Sequence, residues 1–235
     1  MTPPVASGIL VSPAPVDEFQ FVSAHQGFLR YFPAVPDDRR ERSRLRAERS
    51  DGVENRQRIL AVATVVVARD GLQVPLATVA AEAEVGIGTL YRHFPNRAAL
   101  LDGLVIRSLR VVLEAIRDAV GDAATALDAV RGYFYRMIEH RDQLILPLRG
   151  GPAVASAEAA GLREDVRREL EDILRRGVAD GTIQSGLTPL DLILMATMLA
   201  QPLPNITDWD LVARRTADVY LAGMPPRSGE PYVRR

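Results

Sequence analysis

The 235-residue chain is 47% hydrophobic, enough to bury one sizeable core and a smaller second one. Its formal net charge is −1 and it has no cysteine, which excludes a disulfide framework and a thiolate metal site. Its longest apolar runs, such as LILMATMLA at 192–200, fall well short of the roughly 20 residues of a membrane span, and VASGILVS near the N-terminus lacks the flanks of a secretory signal, so a soluble cytoplasmic protein is expected.

Residues 1–38 carry Arg30 against Asp17, Glu18, Asp37 and Asp38, a net of −3, and are rich in proline without a sustained period. They read as a flexible leader, with Phe19, Phe21, Phe28, Tyr31 and Phe32 leaving room for a short docking segment. From Arg39 the composition changes, with six Arg between 39 and 49 against only Glu41 and Glu48. Residues 39–97 hold eleven Arg and seven acids, a net of +4, and form the one basic block; the remainder comes to −2. Residues 1–50 are therefore set apart as a leader and an Arg-rich arm, whose Arg42, Arg44, Arg46 and Arg49 suit a minor groove or a row of phosphates.

Helical text begins near residue 53. Ile59, Val62, Ala63, Val66 and Val67 follow the 3, 4, 7 spacing of one helix face, and Gly71 supplies a stop, which predicts a helix over 53–70. Pro75 stands where a first helical residue belongs, and LATVAAEA continues for about two turns. EVG then interrupts, IGTLYRHF gives two further turns, and Pro95 ends them because the residue before a proline is pushed out of the α region. Asn96 caps a long helix over 96–120.

Two short helices joined by a tight turn, with another packed across them, form a helix-turn-helix, assigned to residues 51–97. Ala80 falls at the crossing, where only a small side chain fits, and Val79, Val85, Leu90 and Phe94 fall on inward positions. Gly86, Ile87, Gly88, Thr89, Tyr91, Arg92 and His93 are left around the outer surface of the second short helix, with Arg97 just beyond it. Thr89, Tyr91, His93 and Arg97 can bond phosphate oxygens, aided by the dipole of the following helix. Gly88 and Arg92 can reach base edges, Arg92 with the fork that reads guanine. The predicted partner is double-stranded DNA.

Residues 98–235 read as a second, helical domain, with helices over about 122–140, 161–180, 188–201 and 207–222. TPLDLILMATMLA is nearly apolar around its circumference, and the last helix is amphipathic through Trp209, Val212, Thr216, Val219 and Tyr220. Such a pair can bury one face inside and another against a twin subunit, which predicts a homodimer. Tyr133, Phe134, Met137 and Ile138, with Met198, are candidates to line a pocket for a small hydrophobic effector, a plain packed core being the alternative. Arg136 and His140 serve equally as polar selectors or as partners of acids such as Glu139 and Asp142. His25, His93 and His140 are scattered, and no glycine-rich loop follows a strand pattern, so no enzyme, metal site or cofactor is expected.

GIGTLYRHFPNRAALL, with RILAVATVVVARDG and LATVAAEAEV upstream, resembles the TetR/AcrR family of bacterial transcriptional regulators; the signature G-T-L-Y-x-H-F-x-[NST]-[KR]-x-x-L stands intact at 88–100. The resemblance is strong over residues 53–101. It implies an all-α homodimer with an N-terminal three-helix DNA-binding domain and a larger C-terminal domain that dimerises and binds an effector. By the same likeness Thr89, Tyr91, His93 and Arg97 match phosphate-contacting positions, and the outer residues of 86–92 match base-reading ones. The expected function is a repressor on a pseudo-palindromic operator, released by a small hydrophobic molecule. The alternative is a helical interaction protein whose helix-turn-helix no longer binds DNA specifically. Three departures from the pattern bear on that choice: Glu84 where the turn usually has glycine, Val74 and Gly86 at cap positions where a hydroxyl is common, and the apolar Ile87 on the groove-facing side.

Overall fold

The computed structural model describes the backbone of residues 38–144 and 156–226 and the side chains of residues 52–144 and 156–226; the contacts below lie within the unit Ser43–Arg235. Among the described residues every regular element is a helix. The first, α1 (Asp38–Asp70), begins well before residue 53, where its apolar face starts. Arg, Glu, Leu and Ala dominate residues 38–49 and are strong helix formers, so propensity carries the helix upstream of the stripe that packs. The candidate arm residues Arg42, Arg44, Arg46 and Arg49 belong to this stretch, but their side chains, like residues 1–37, lie outside the described ones.

Further along, α1 buries Ile59, Leu60, Ala63, Val66 and Val67, and Gly71 at φ 88 turns the chain away. Two seven-residue helices follow, α2 (Leu76–Glu82) and α3 (Ile87–His93). The cap of α2 is Pro75, not Val74: the Pro75 C=O accepts from the Thr78 N–H at 3.0 Å, while Val74 points into the core. Neither Pro75 nor Gly86, which caps α3, offers a side-chain acceptor. Asn96 does, taking the Ala99 N–H at 2.9 Å and starting α4 (Arg97–Asp122). Helices of seven residues are not stable alone in water, so α2 and α3 exist through their packing. Val79, Ala80, Leu90 and Phe94 supply it, closing on α1 and on Leu100 and Leu104 of α4.

The second core is built by the rest of α4 (Leu113, Ile116, Ala119) together with α5 (Ala126–Glu139), α6 (Ala157–Ala179), α7 (Pro189–Leu199) and α8 (Trp209–Ala222). Helix α5 lies at its centre, in contact with the other four. Helix α6 starts a turn before residue 161 because the Ser156 hydroxyl accepts the Ala159 N–H at 3.2 Å. The return from α6 to α7 is held by Ile183 over Gly177, where a β-carbon would lie 2.5 Å from Ile183 Cδ1. The inward stripe of α8 is Ala213, Ala217 and Leu221; Trp209 and Tyr220 are half-buried, whereas Val212, Thr216 and Val219 face out, against the amphipathic pattern expected. Helix α7 likewise exposes Leu190, Leu194 and Met198 at four-residue intervals. None of the described helices is long and apolar enough to cross a membrane.

One residue of the helix-turn-helix is strained. Glu84 adopts φ 53 in the turn between α2 and α3, and its exposed carboxylate has no ion-pair or hydrogen-bond partner among the described residues. Glu84→Gly is expected to stabilise the domain by about 0.5–1 kcal/mol, relief of the left-handed β-carbon outweighing the added freedom of the unfolded chain. On thermal unfolding this is a rise of roughly 1–4 °C. An unchanged or lower midpoint would show that the turn carries no such strain.

Candidate nucleic-acid interface

Burial divides α3 into two surfaces. Leu90 and Phe94, one turn apart, are 0% and 1% exposed and pin the helix to the core. Gly86, Gly88, Tyr91 and Arg92 lie on the exposed surface with Ile87, which is 44% exposed and so does not pack inward; Thr89 and His93 are half-buried at its margin. Val85, expected inside, is half-buried. The eight sequence-predicted DNA-binding residues are thus brought to α3 and the start of α4. A β-carbon at Gly88 would meet no atom within 4 Å. The fold itself does not need a glycine there.

The cations near this surface differ in availability. Arg97 Nη1 donates to the Leu72 C=O at 2.8 Å, tying the start of α4 to the loop before α2. The phosphate role predicted for Arg97 is therefore joined by a structural one that sequence spacing did not show, with the remaining guanidinium N–H groups left for a ligand. Arg69 is committed: Asp70 and Glu82 both hydrogen-bond it at 2.6 Å, clamping α1 to α2, and they hold its pKa above the ordinary value. Arg56 lies over the Phe94 ring with its guanidinium carbon 5.1 Å from the centroid, on the side where Gly103 lets α4 approach. Arg92 has no ion-pair or hydrogen-bond partner among the described residues and is exposed.

In the second domain Tyr133, Phe134, Met137 and Ile138 converge in the core, each no more than 2% exposed. Met198 does not join them: it is 61% exposed on the outer stripe of α7. The Tyr133 ring lies 5.7 Å from that of Phe134, which meets Tyr220 edge-on at 5.9 Å. Burial alone raises the Tyr133 pKa, and its hydroxyl has no hydrogen-bond partner among the described residues. Arg136 pairs with Asp122 at 2.5 Å, not with Glu139 or Asp142, and His140 Nδ1 meets Gln143 Nε2 at 3.3 Å. An open depression of about 470 Å³ at the foot of α8, lined by Arg141, Asp208, Trp209, Asp210 and Leu211, includes none of the candidate pocket residues.

Residues 59–104, from the inward face of α1 to the last α4 side chain of the first core, match the model of the bacterial regulatory proteins of the tetR family. The chain is 29% identical over 132 residues to the HTH-type transcriptional repressor KstR of Mycobacterium tuberculosis, a match covering 54% of this chain and 60% of that repressor. It therefore spans less than two thirds of that relative's length. Among solved structures it is similar to the TetR transcriptional regulator SCO0520 of Streptomyces coelicolor, at 26% identity and a TM-score of 0.53 over 74% of this chain and 99% of the other. FadR of Bacillus subtilis, solved with stearoyl-CoA, shares the fold at 19% identity and a TM-score of 0.57, over 72% and 98% of the two chains. Motif, buried anchors and matched residues agree, and residues 59–104 match the tetR family of bacterial regulatory proteins.

Proposed function

We propose that the chain is a sequence-specific DNA-binding regulator, a repressor, that works as a homodimer on a pseudo-palindromic operator. The observation that carries the reading is Gly88, bare on the exposed surface of α3 with open space where a β-carbon would stand. A glycine costs about 1 kcal/mol in a helix interior relative to alanine. With no steric need for it in the free protein, the bare backbone there supports close approach to a groove. The strained turn and uncapped helices lower stability without covering this surface, so they do not favour the interaction-protein alternative.

In the proposed complex, α3 enters the major groove. Arg92 reads a base edge, Gly86, Ile87 and Gly88 lie against the groove with Ile87 able to touch a thymine methyl, and Thr89, Tyr91, His93 and Arg97 hold phosphates. Two such helices must stand about 34–36 Å apart to reach successive half-sites. The exposed apolar stripes of α7 and α8 supply the surface for a second subunit.

Gly88→Ala is expected to keep or raise thermal stability while weakening binding to genomic fragments recovered with the protein by about tenfold or more, a change of roughly 1.4 kcal/mol. Unchanged affinity would remove the carrying observation. Arg92→Ala is expected to lower discrimination between sequences, whereas Tyr91→Phe weakens all sequences alike and leaves their ranking intact. Equal losses on every duplex for Arg92→Ala would reverse that assignment.

For release, we propose an elongated apolar effector in the core around Tyr133, its polar atom accepting from the Tyr133 hydroxyl, which has no hydrogen-bond partner among the described residues. Stearoyl-CoA, the molecule bound by the Bacillus subtilis relative, is the first probe. It is expected to release the wild-type protein from DNA and to act about tenfold less well on Tyr133→Phe, with both proteins holding DNA equally in its absence. Release unaffected by the substitution would take Tyr133 out of the site.

A further inference from the structure

The outer stripe of α8 is not wholly apolar. Leu211, Val212 and Val219 are 71%, 39% and 70% exposed, and Arg215 stands among them, exposed and without an ion-pair or hydrogen-bond partner among the described residues. Its neighbours in the helix are engaged: Arg214 pairs with Glu139 at 2.6 Å, and Asp218 accepts from the Tyr135 hydroxyl at 2.8 Å. A free guanidinium centred in an apolar stripe opposes burial against a second copy unless it meets a carboxylate there. Seven residues earlier, Asp208 stands just before the helix as its left-handed cap, at the end toward which the stripe runs. It too is exposed, makes no side-chain cap bond, and has no partner among the described residues.

We propose that two copies of the chain pair through antiparallel α8 helices crossing between Leu211 and Val212, so that each Arg215 forms an ion pair with the partner subunit's Asp208. This rests on the homodimer proposed above and adds its register. Helices related by a two-fold axis at their crossing run antiparallel, and every contact across them occurs twice. Arg215 and Asp208 lie equally far from the Leu211–Val212 midpoint, on opposite sides, so that crossing sets each level with the other. Leu211 and Val212 then occupy the axis, where burial is deepest, and the charges flank it, with Val219 a turn beyond Arg215. A crossing centred on Arg215 would instead stack two guanidiniums on the axis, and one that sets Arg215 against Asp218 would offer a carboxylate that already accepts from Tyr135 through Oδ1, whereas the Asp208 carboxylate is wholly unengaged among the described residues. Charge complementarity therefore selects the first register.

Sedimentation equilibrium of the full chain and its variants tests the pairing. Arg215→Asp and Asp208→Arg are each expected to weaken dimerisation about tenfold or more, since each turns two attractions per dimer into two repulsions, and the double exchange is expected to return to within about threefold of the wild type. Asp208→Asn, whose side chain tolerates the φ of 57 found there, is expected to weaken it about threefold with an unchanged thermal midpoint, which separates loss of pairing from loss of fold. A double exchange as weak as the single ones overturns the register. So does an Arg215→Asp variant that dimerises as well as the wild type or better, the signature of a crossing centred on Arg215. A wild-type chain that stays monomeric at about 100 μM, far above the dissociation constant expected of a dimer that functions in a cell, overturns the dimer itself and this register with it.

Discussion

The burial of Leu90 and Phe94 decides what the first domain can do. Helix α3 has only two turns and no side-chain cap, so nothing within it keeps it folded or oriented. Burying a side chain of this size contributes about 1.5–3 kcal/mol, and the two anchors together exceed what the missing cap withholds, about 1 kcal/mol or less for a glycine. Because they are four residues apart they also fix rotation about the helix axis. That rotation turns Gly88, Tyr91 and Arg92 outward and holds Thr89 and His93 at the edge. Phe94 is itself confined by the Arg56 guanidinium over its ring and by the neighbouring α4 backbone at Gly103, where a β-carbon would come within 3.0 Å of its ring.

Helix α4 transmits that rigidity. Its first turns complete the first core through Leu100 and Leu104, and its last turns enter the second core through Leu113, Ile116 and Ala119. Helix α5 presses on it at Gly132, where a β-carbon would stand 3.1 Å from Ala119 Cβ, one residue before Tyr133. There is no slack at that crossing. An occupant that displaced Tyr133, as in the proposed release, would have to move α5 against α4 or open the core elsewhere, and would act only as far as it bound the displaced arrangement better than the packed one.

Much of this was legible in the sequence because the first domain is governed by local rules. The 3, 4, 7 spacing of α1, the Asn96 cap and the inward placement of Leu90 and Phe94 need only helix geometry, and the strain at Glu84 follows from a tight turn without glycine. The discrepancies arise where other forces compete. Helix α1 starts at Asp38 because propensity extends it where no apolar face does. The inward face of α8 is small, Ala213 and Ala217, so a pattern weighted by side-chain size pointed to Val212 and Val219, which face out. Met198 is as apolar as its supposed pocket partners, and only the packing of α7 shows that it belongs with Leu190 and Leu194 outside. The bond from Arg97 to the Leu72 carbonyl spans 25 residues and leaves no periodic trace.

In the proposed dimer, the outward stripes would connect the two domains energetically. A single α3 offers few phosphate and base contacts, and an isolated module of that kind binds DNA weakly and with strong salt dependence. A second module rigidly attached binds its half-site as an intramolecular event, at an effective concentration set by the linkage and not by the bulk. The gain exists only if the dimer places both helices at the half-site spacing, because a mismatched span leaves the second module unbound. In the proposed dimer, stability of the α8 contact would enter operator affinity twice, once by forming the pair and once by fixing the distance between the two α3 helices. Non-specific binding, which needs neither the pair nor the spacing, is far less sensitive to it. A loosened interface in such a dimer would therefore erode specificity before it eroded attraction to DNA, which would make subunit geometry the economical place for the proposed effector to act.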